Sequence, residues 1–208
     1  MLPRVSPMLA VPATPFDSPD YDFEVKWDGI RALAAVETMG WRLWGRELAD
    51  YRARYPELDV RRRRPAGTLV DGELVAFDAD GRPDLPRLLR RHGLTDAWRI
   101  RQARHWCSVR YMLFDLLYHA GRCLLREPLA QRREVLTEVC RRLDAVDVRF
   151  SEGVVGQGRA LCAAALAQGH EGVMAKHLAS TYRPGRRSAA WRKLKPRPKR
   201  TCSLIASY

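Results

Sequence analysis

Five lysines stand against thirty-two arginines in this chain, and four of the five fall inside short motif-like stretches. Lys26 lies in Glu24-Val25-Lys26-Trp27-Asp28-Gly29-Ile30-Arg31. Lys176 closes Glu171-Gly172-Val173-Met174-Ala175-Lys176, and Lys193 and Lys195 alternate in Trp191-Arg192-Lys193-Leu194-Lys195. Lys199 stands apart in a basic tail. A chain so biased uses arginine wherever a generic positive charge will serve. Lysine persists where an amine must lose its proton and attack an electrophile, which a guanidinium cannot do. The pattern points to Lys26 as a covalent nucleophile and to the other motif lysines as compact point charges beside it.

An ordinary lysine titrates near about 10.4, so a lysine nucleophile needs a depressed pKa. Lys193 and Lys195, two apart on a strand, point to one face. They are expected to repel the Lys26 ammonium and to neutralise a phosphate. Glu73 and Glu171 are suited to holding Mg²⁺ between themselves and phosphate oxygens. These groups together describe an amine attacking phosphorus while its surroundings absorb charge.

A frame must bring these residues together. The proline-rich first twenty residues read as an extended lead-in. Residues 21–26 and 30–37 read as strands joined at Trp27-Asp28-Gly29, since Asp-Gly between β-rich runs signals a turn. Residues 41–45 predict a third strand, and 49–65 a short helix ending in Arg61-Arg62-Arg63-Arg64. Residues 68–77 read as a strand pair or a bend around Asp71-Gly72-Glu73, with a hairpin turn at 78–81. Helical spacing runs over 83–106, and 109–117 reads as a buried strand. Pro128 opens the clearest helix, to Leu143, with Leu129, Val135, Leu136, Val139 and Leu143 on one face. A strand at 148–155, a helix at 157–168 capped by Gly169, and strands at 172–177 and 191–194 complete the reading. There is no internal repeat and no βαβ alternation. The class is α+β, with antiparallel sheets flanked by helices.

The 208 residues, 46% hydrophobic, can bury a core. A net charge of +13 and a pI of about 10.1 favour a polyanionic partner. No stretch is long and apolar enough to span a membrane, and the start lacks the apolar run of a signal peptide. An intracellular protein is expected. Cys107, Cys123, Cys140, Cys162 and Cys202 include no C-x-x-C pair, so reduced thiols are expected rather than disulfides or zinc.

Five motifs in order carry a family resemblance. Lys26-Trp27-Asp28-Gly29-Ile30-Arg31 fits K-x-D-G-x-R, and Asp71-Gly72-Glu73 fits a third motif. Tyr111-Met112-Leu113-Phe114-Asp115-Leu116-Leu117-Tyr118 fits an aromatic segment, and the Glu171–Lys176 and Trp191–Lys195 stretches fit a fourth and fifth. From about Pro7 to Lys195 the chain resembles the adenylation (nucleotidyltransferase) domain of bacterial-type ATP-dependent DNA ligases, and that fold is expected.

The resemblance implies roles. Lys26 would take AMP from ATP as a phosphoramidate and pass it to the 5′-phosphate of nicked double-stranded DNA. Glu24 would read the adenine edge, and Arg31 and Arg46 the ribose or phosphate. Phe114 would stack on adenine. Glu73 would engage ribose or metal, and Glu171 the metal, Mg²⁺ or Mn²⁺. Lys193 and Lys195 would hold the α-phosphate with Lys176 nearby. NAD is not the expected donor, because only 25 residues precede Lys26. Residues 1–195 are expected to form the adenylation domain, and 196–208 a basic tail opening an OB-fold that the chain does not contain. Thirteen residues cannot build that five-stranded barrel. A separate OB-fold or repair protein is then an expected partner, and unaided catalysis is expected to be slow. Two alternatives are a non-catalytic nucleic-acid-binding accessory protein and an RNA-directed nucleotidyltransferase.

Overall fold

Side-chain alternation along the strands sorts this chain into two sheets laid face to face. A computed structural model describes residues 1–58, 66–141 and 147–195. One sheet has the order β1 (Leu9–Ala13), β11 (Arg187–Leu194), β10 (Val173–His177), β2 (Tyr21–Val25), β9 (Gly153–Val155). The other runs β4 (Gly40–Trp44), β3 (Ile30–Glu37), β5 (Thr68–Ala76), β6 (Val109–His119), β7 (Arg122–Cys123), with β8 (Val148–Phe150) also on β6. Pairing is antiparallel except for β1 with β11 and β8 with β6. Four helices complete the α+β fold: α1 (Leu85–His92), α2 (Ala97–Trp106), α3 (Leu129–Arg141) and α4 (Gly158–Ala167).

The period-2 rule separates the layers. Ala32, Ala34 and Val36 of β3 join Val70 and Leu74 of β5 under Leu88 of α1 and Leu136 of α3. The alternate residues Leu33, Ala35 and Leu69 turn the other way and meet Met8, Tyr182 and Trp191 between the sheets. Phe23, Val173 and Ala175 face outward from the five-stranded sheet onto Cys162 and Ala165 of α4.

One bulge changes what β6 presents. Asp71 pairs with Asp115 and Gly72 with Leu113, so Phe114 has no partner across the ladder. The extra residue shifts the alternation. Tyr111 and Leu113 face the helices, as does Leu116, whereas Phe114 and Leu117 face the other sheet.

Several expectations change. The strands on either side of Trp27-Asp28-Gly29 form no hairpin: β2 pairs with β10 and β9, and β3 with β4 and β5. The segment is a crossover between sheets. The strand expected over 148–155 likewise divides at Ser151-Glu152, with β8 in one sheet and β9 in the other. Trp27 Nε1 donates to Ser151 Oγ at 2.9 Å, tying the two crossovers together. Residues 68–76 are one strand. The helical stretch 83–106 is two helices, because Asp84 and Asp96 each accept a bond from a first-turn amide and start separate helices. The lead-in contains strand β1. In 49–58 only a 3-10 turn, Arg52–Arg54, forms. Arg61–Arg64, Leu143, Lys199, Cys202 and the rest of 196–208 lie outside the described residues. The four described cysteines are free thiols.

Helix α3 carries two buried arginines that its apolar pattern did not reveal. Arg132 binds both carboxylate oxygens of Asp115, at 2.8 and 2.9 Å, and donates to the Glu127 and Ser180 carbonyls. Arg133 pairs with Asp22 at 2.7 Å and Glu24 at 2.8 Å in one sheet. It also donates to the carbonyls of Phe114, in the other sheet, and Ser151. Removing one partner of a fully buried pair strands a charge, at a cost of about 3–5 kcal/mol. Arg132→Met should lose stability on that scale in urea unfolding, and Arg132→Met with Asp115→Leu should recover part of it. A single-variant loss below about 1 kcal/mol would contradict this assignment.

Candidate active site

A cleft of about 270 Å³ opens between the sheets. Glu24, Lys26, Arg31, Arg46, Glu73, Phe114, Lys176, Lys193 and Lys195 all line it. Glu171 reaches it by pairing with both Lys26 and Lys195. The ten residues singled out in the sequence therefore converge, from six strands and the segments beside them. The alternation explains it: Glu24, Lys176 and Lys193 have inward parity on their strands, as do Arg31 and Glu73 on theirs.

Lys26 follows β2 directly, and its amide donates to the Gly172 carbonyl at 2.9 Å. The motif glycines permit this close weave. A Cβ on Gly29 would run into the Leu74 carbonyl oxygen, and one on Gly172 into that of Leu194. The Lys26 pKa is lowered, chiefly by burial, with Arg46 adding repulsion and Glu73 and Asp28 opposing. Lys193 and Lys195 were expected to drive that shift. Burial drives it instead, and Lys195 is held by the same Glu171 carboxylate that holds Lys26.

Arg31 is anchored rather than free. Its Nε and Nη2 each donate to Asp71 at 2.6 Å, and although burial pulls its pKa down, the Asp71 carboxylate more than offsets this and holds it up. Asp71 also accepts from the Tyr182 hydroxyl at 2.6 Å, which in turn accepts from the Met8 amide at 2.9 Å. Tyr182 and Arg133 were missed in the sequence. Neither sits in a motif, and only tertiary packing brings them to the site.

Glu24 is buried and pairs with Lys176 at 2.6 Å as well as with Arg133. Burial lowers the Lys176 pKa, while Glu24 opposes the shift. The Lys176 ammonium lies 4.2 Å from the Phe114 ring centroid and 4.7 Å from that of Trp191. The Arg31 guanidinium lies 4.4 Å from the Phe114 centroid. Phe114 is only 7% exposed, so a planar base reaching its face must displace part of that cationic cover.

Glu73 is half-buried in the cleft wall, and desolvation pushes its pKa up to about 7 against the pull of Arg31, Lys26 and Arg46. Among the described residues no cluster of three or more His, Cys, Asp or Glu forms a metal cage. One or two carboxylates facing a phosphate subsite suit Mg²⁺, which keeps water and phosphate oxygens as its other ligands. Glu171 and Glu73 fit that mode.

A half-buried lysine, flanked by carboxylates and further cations in a cleft between two sheets, has the chemistry suited to amine attack on a phosphoanhydride. The ATP-dependent DNA ligase domain model matches residues 7–195, and the chain belongs to that family. It is 38% identical over 182 residues to a DNA ligase of Methanothrix thermoacetophila, covering 83% of this chain and 32% of the relative. It is 34% identical over 192 residues to the multifunctional non-homologous end joining DNA repair protein LigD of Mycobacterium tuberculosis, covering 90% and 23%. The SPbeta prophage-derived DNA ligase-like protein LigB of Bacillus subtilis is 30% identical, covering 91% and 67%. The chain thus spans about a third of the Methanothrix enzyme and about a quarter of LigD. Among solved structures, mycobacterial DNA ligase D complexed with ATP and MES superimposes with a TM-score of 0.78 at 32% identity, covering 92% of this chain and 60% of that one. The bacteriophage T7 ligase complex with ATP gives 0.67 at 21% identity, a likeness of fold.

The Glu73 shift predicts a pH signature. Its folded pKa lies above the ordinary 4.5, so the fold favours the neutral acid. That contribution is complete below about 4.5 and is lost as pH rises through about 7. The stability of Glu73→Gln relative to the native protein should therefore grow across that window, by a total on the order of 3 kcal/mol, and then level off. Thermal melts of both proteins from acid to mildly alkaline pH check this. A gap independent of pH would contradict it.

Proposed function

We propose that the chain is the adenylation domain of an ATP-dependent DNA ligase, with Lys26 as the residue that carries AMP. The observation that supports this best is the convergence of Lys26, Glu171, Lys193 and Lys195 on one cleft. The Lys26 amine, once deprotonated, attacks the α-phosphorus of ATP. A nitrogen–phosphorus bond forms, and the bond to the bridging oxygen breaks as pyrophosphate leaves. The adenylate then passes to the 5′-phosphate of nicked duplex DNA.

Burial lowers the cost of deprotonating Lys26, and an entering phosphate competes with Glu171 for the ammonium groups of Lys26 and Lys195. Lys193 and Lys195 hold the α-phosphate, with Lys176 closer to the base. Arg31, fixed by Asp71, and Arg46 face the ribose and phosphates. Phe114 offers a face to adenine, with Glu24 below it. Mg²⁺ or Mn²⁺ would be held between Glu171, Glu73 and phosphate oxygens, where it neutralises developing charge. Residues 1–195 form the catalytic unit of this reading. The net charge of +13 suits DNA, and among the described residues no helix is long and apolar enough to cross a membrane.

Intact mass after incubation with ATP and Mg²⁺ tests the proposal. One AMP should be added, peptide mapping should place it on Lys26, and Lys26→Arg should abolish it while leaving the melting temperature nearly unchanged. An adduct on another lysine, or none at all, would overturn the assignment. Nicked DNA should discharge the adenylate, and nicked RNA should not.

A further inference from the structure

The strongest unexplained surface lies on the opposite side of the six-stranded sheet from the cleft. Helix α1 packs there on β5 through Leu88, and α2 is locked beside it. Arg87 Nε of α1 donates to the Trp106 carbonyl at 2.7 Å, and buried Arg91 donates to the Cys107 carbonyl and to Glu57. The ridge is therefore a fixed part of the fold. Only Ile100 and Ala103 of α2 are buried.

What α2 shows to solvent is unusual for a surface helix. Trp98 is 62% exposed, the most open tryptophan among the described residues, and Trp106 is 39% exposed. At about 100° per residue, Trp98, Gln102 and His105 form the outermost ridge, with Arg99 and Arg101 on its two flanks. From residue 85 to 106 there are six arginines and one carboxylate, Asp96, whose side chain already caps α2. Among the described residues, Arg99, Arg101 and Arg104 form no ion pair with a carboxylate. A bare indole ringed by uncompensated guanidiniums suits a ligand with flat apolar faces and a chain of negative charges.

We propose that the outer ridge of α2 is a second nucleic-acid surface, separate from the cleft, that holds single-stranded nucleic acid. An unpaired base stacks on Trp98, and the flanking phosphates pair with Arg99 and Arg101. A duplex hides its base faces and offers only its phosphates, so the tryptophan selects for unpaired strands. An acidic protein segment would engage the arginines without needing the exposed ring. The proposal uses no residue of the cleft and stands whether or not Lys26 is adenylated.

The test is fluorescence anisotropy with a dye-labelled oligothymidylate, an oligouridylate and a blunt DNA duplex of the same length, on the full chain. Trp98→Ala should weaken oligothymidylate binding about tenfold, the order of one lost base stack, and Trp98→Phe should keep most of it. Arg99→Gln with Arg101→Gln should flatten the log–log salt dependence by about 1.4, at roughly 0.7 per phosphate contact. Trp98 is largely exposed, so these variants should melt like the native protein and take up AMP as it does. Lys26→Arg should bind the oligonucleotide normally, which keeps this result distinct from the adenylation test. Oligouridylate binding equally tightly would extend the site to RNA, since the recognised chemistry is shared. Affinity unmoved by Trp98→Ala, or a duplex equally sensitive to it, would overturn the proposal.

Discussion

Asp22 and Glu24 carry two carboxylates into the seam between the sheets, and the arrangement holds only because cations meet them there. Arg133 reaches from α3 to pair with both and to bind the Phe114 carbonyl of the facing sheet. Lys176 pairs with Glu24 from the neighbouring strand. Unpaired, either carboxylate would pay a desolvation cost of several kcal/mol. Paired, they fix the spacing of the two sheets at the floor of the cleft. Lys26 lies two residues beyond Glu24, so its position follows from that anchoring.

The same logic recurs at each wall. Asp71 is satisfied by Arg31 and Tyr182, and Tyr182 is held by the Met8 amide. That chain of bonds ties the N-terminal lead-in, the β10–β11 loop and two central strands into one rigid rim. Glu171 is shared between Lys26 and Lys195, so one carboxylate answers two ammonium groups and the cleft keeps a net positive charge. A phosphate entering it meets that excess and competes with Glu171 for both lysines. Backbone geometry completes the site, since the two crossovers meet through Trp27 and Ser151 and the alternation of β6 turns Phe114 inward.

The positive charge of the chain is distributed by function. All four described lysines line the cleft beside Arg31 and Arg46, where a compact ammonium suits a phosphate. Arginines serve as buried fasteners in α3 and as outward charges on α2. The rigid fork of a guanidinium explains the first use, because it can satisfy several carbonyls and carboxylates at once.

Much of this was legible in the sequence. The lysine scarcity and five ordered motifs marked the residues lining the cleft, and apolar spacing found α3, α4 and most strands, because nucleophile chemistry and side-chain periodicity are written locally. What was not local was misread. Asp28-Gly29 carries the signal of a hairpin turn, and only sheet pairing shows that the chain crosses from one sheet to the other. Residues 148–155 read as one strand, and the break at Ser151 is set by bonds to Leu113, Arg133 and Trp27. Arg132 and Arg133 carried no signal in the sequence, since burial of a cation depends on carboxylates far away in sequence. The source of the Lys26 pKa shift was decided the same way. Sequence supplies the neighbouring charges, but desolvation exists only once two sheets have closed over the amine.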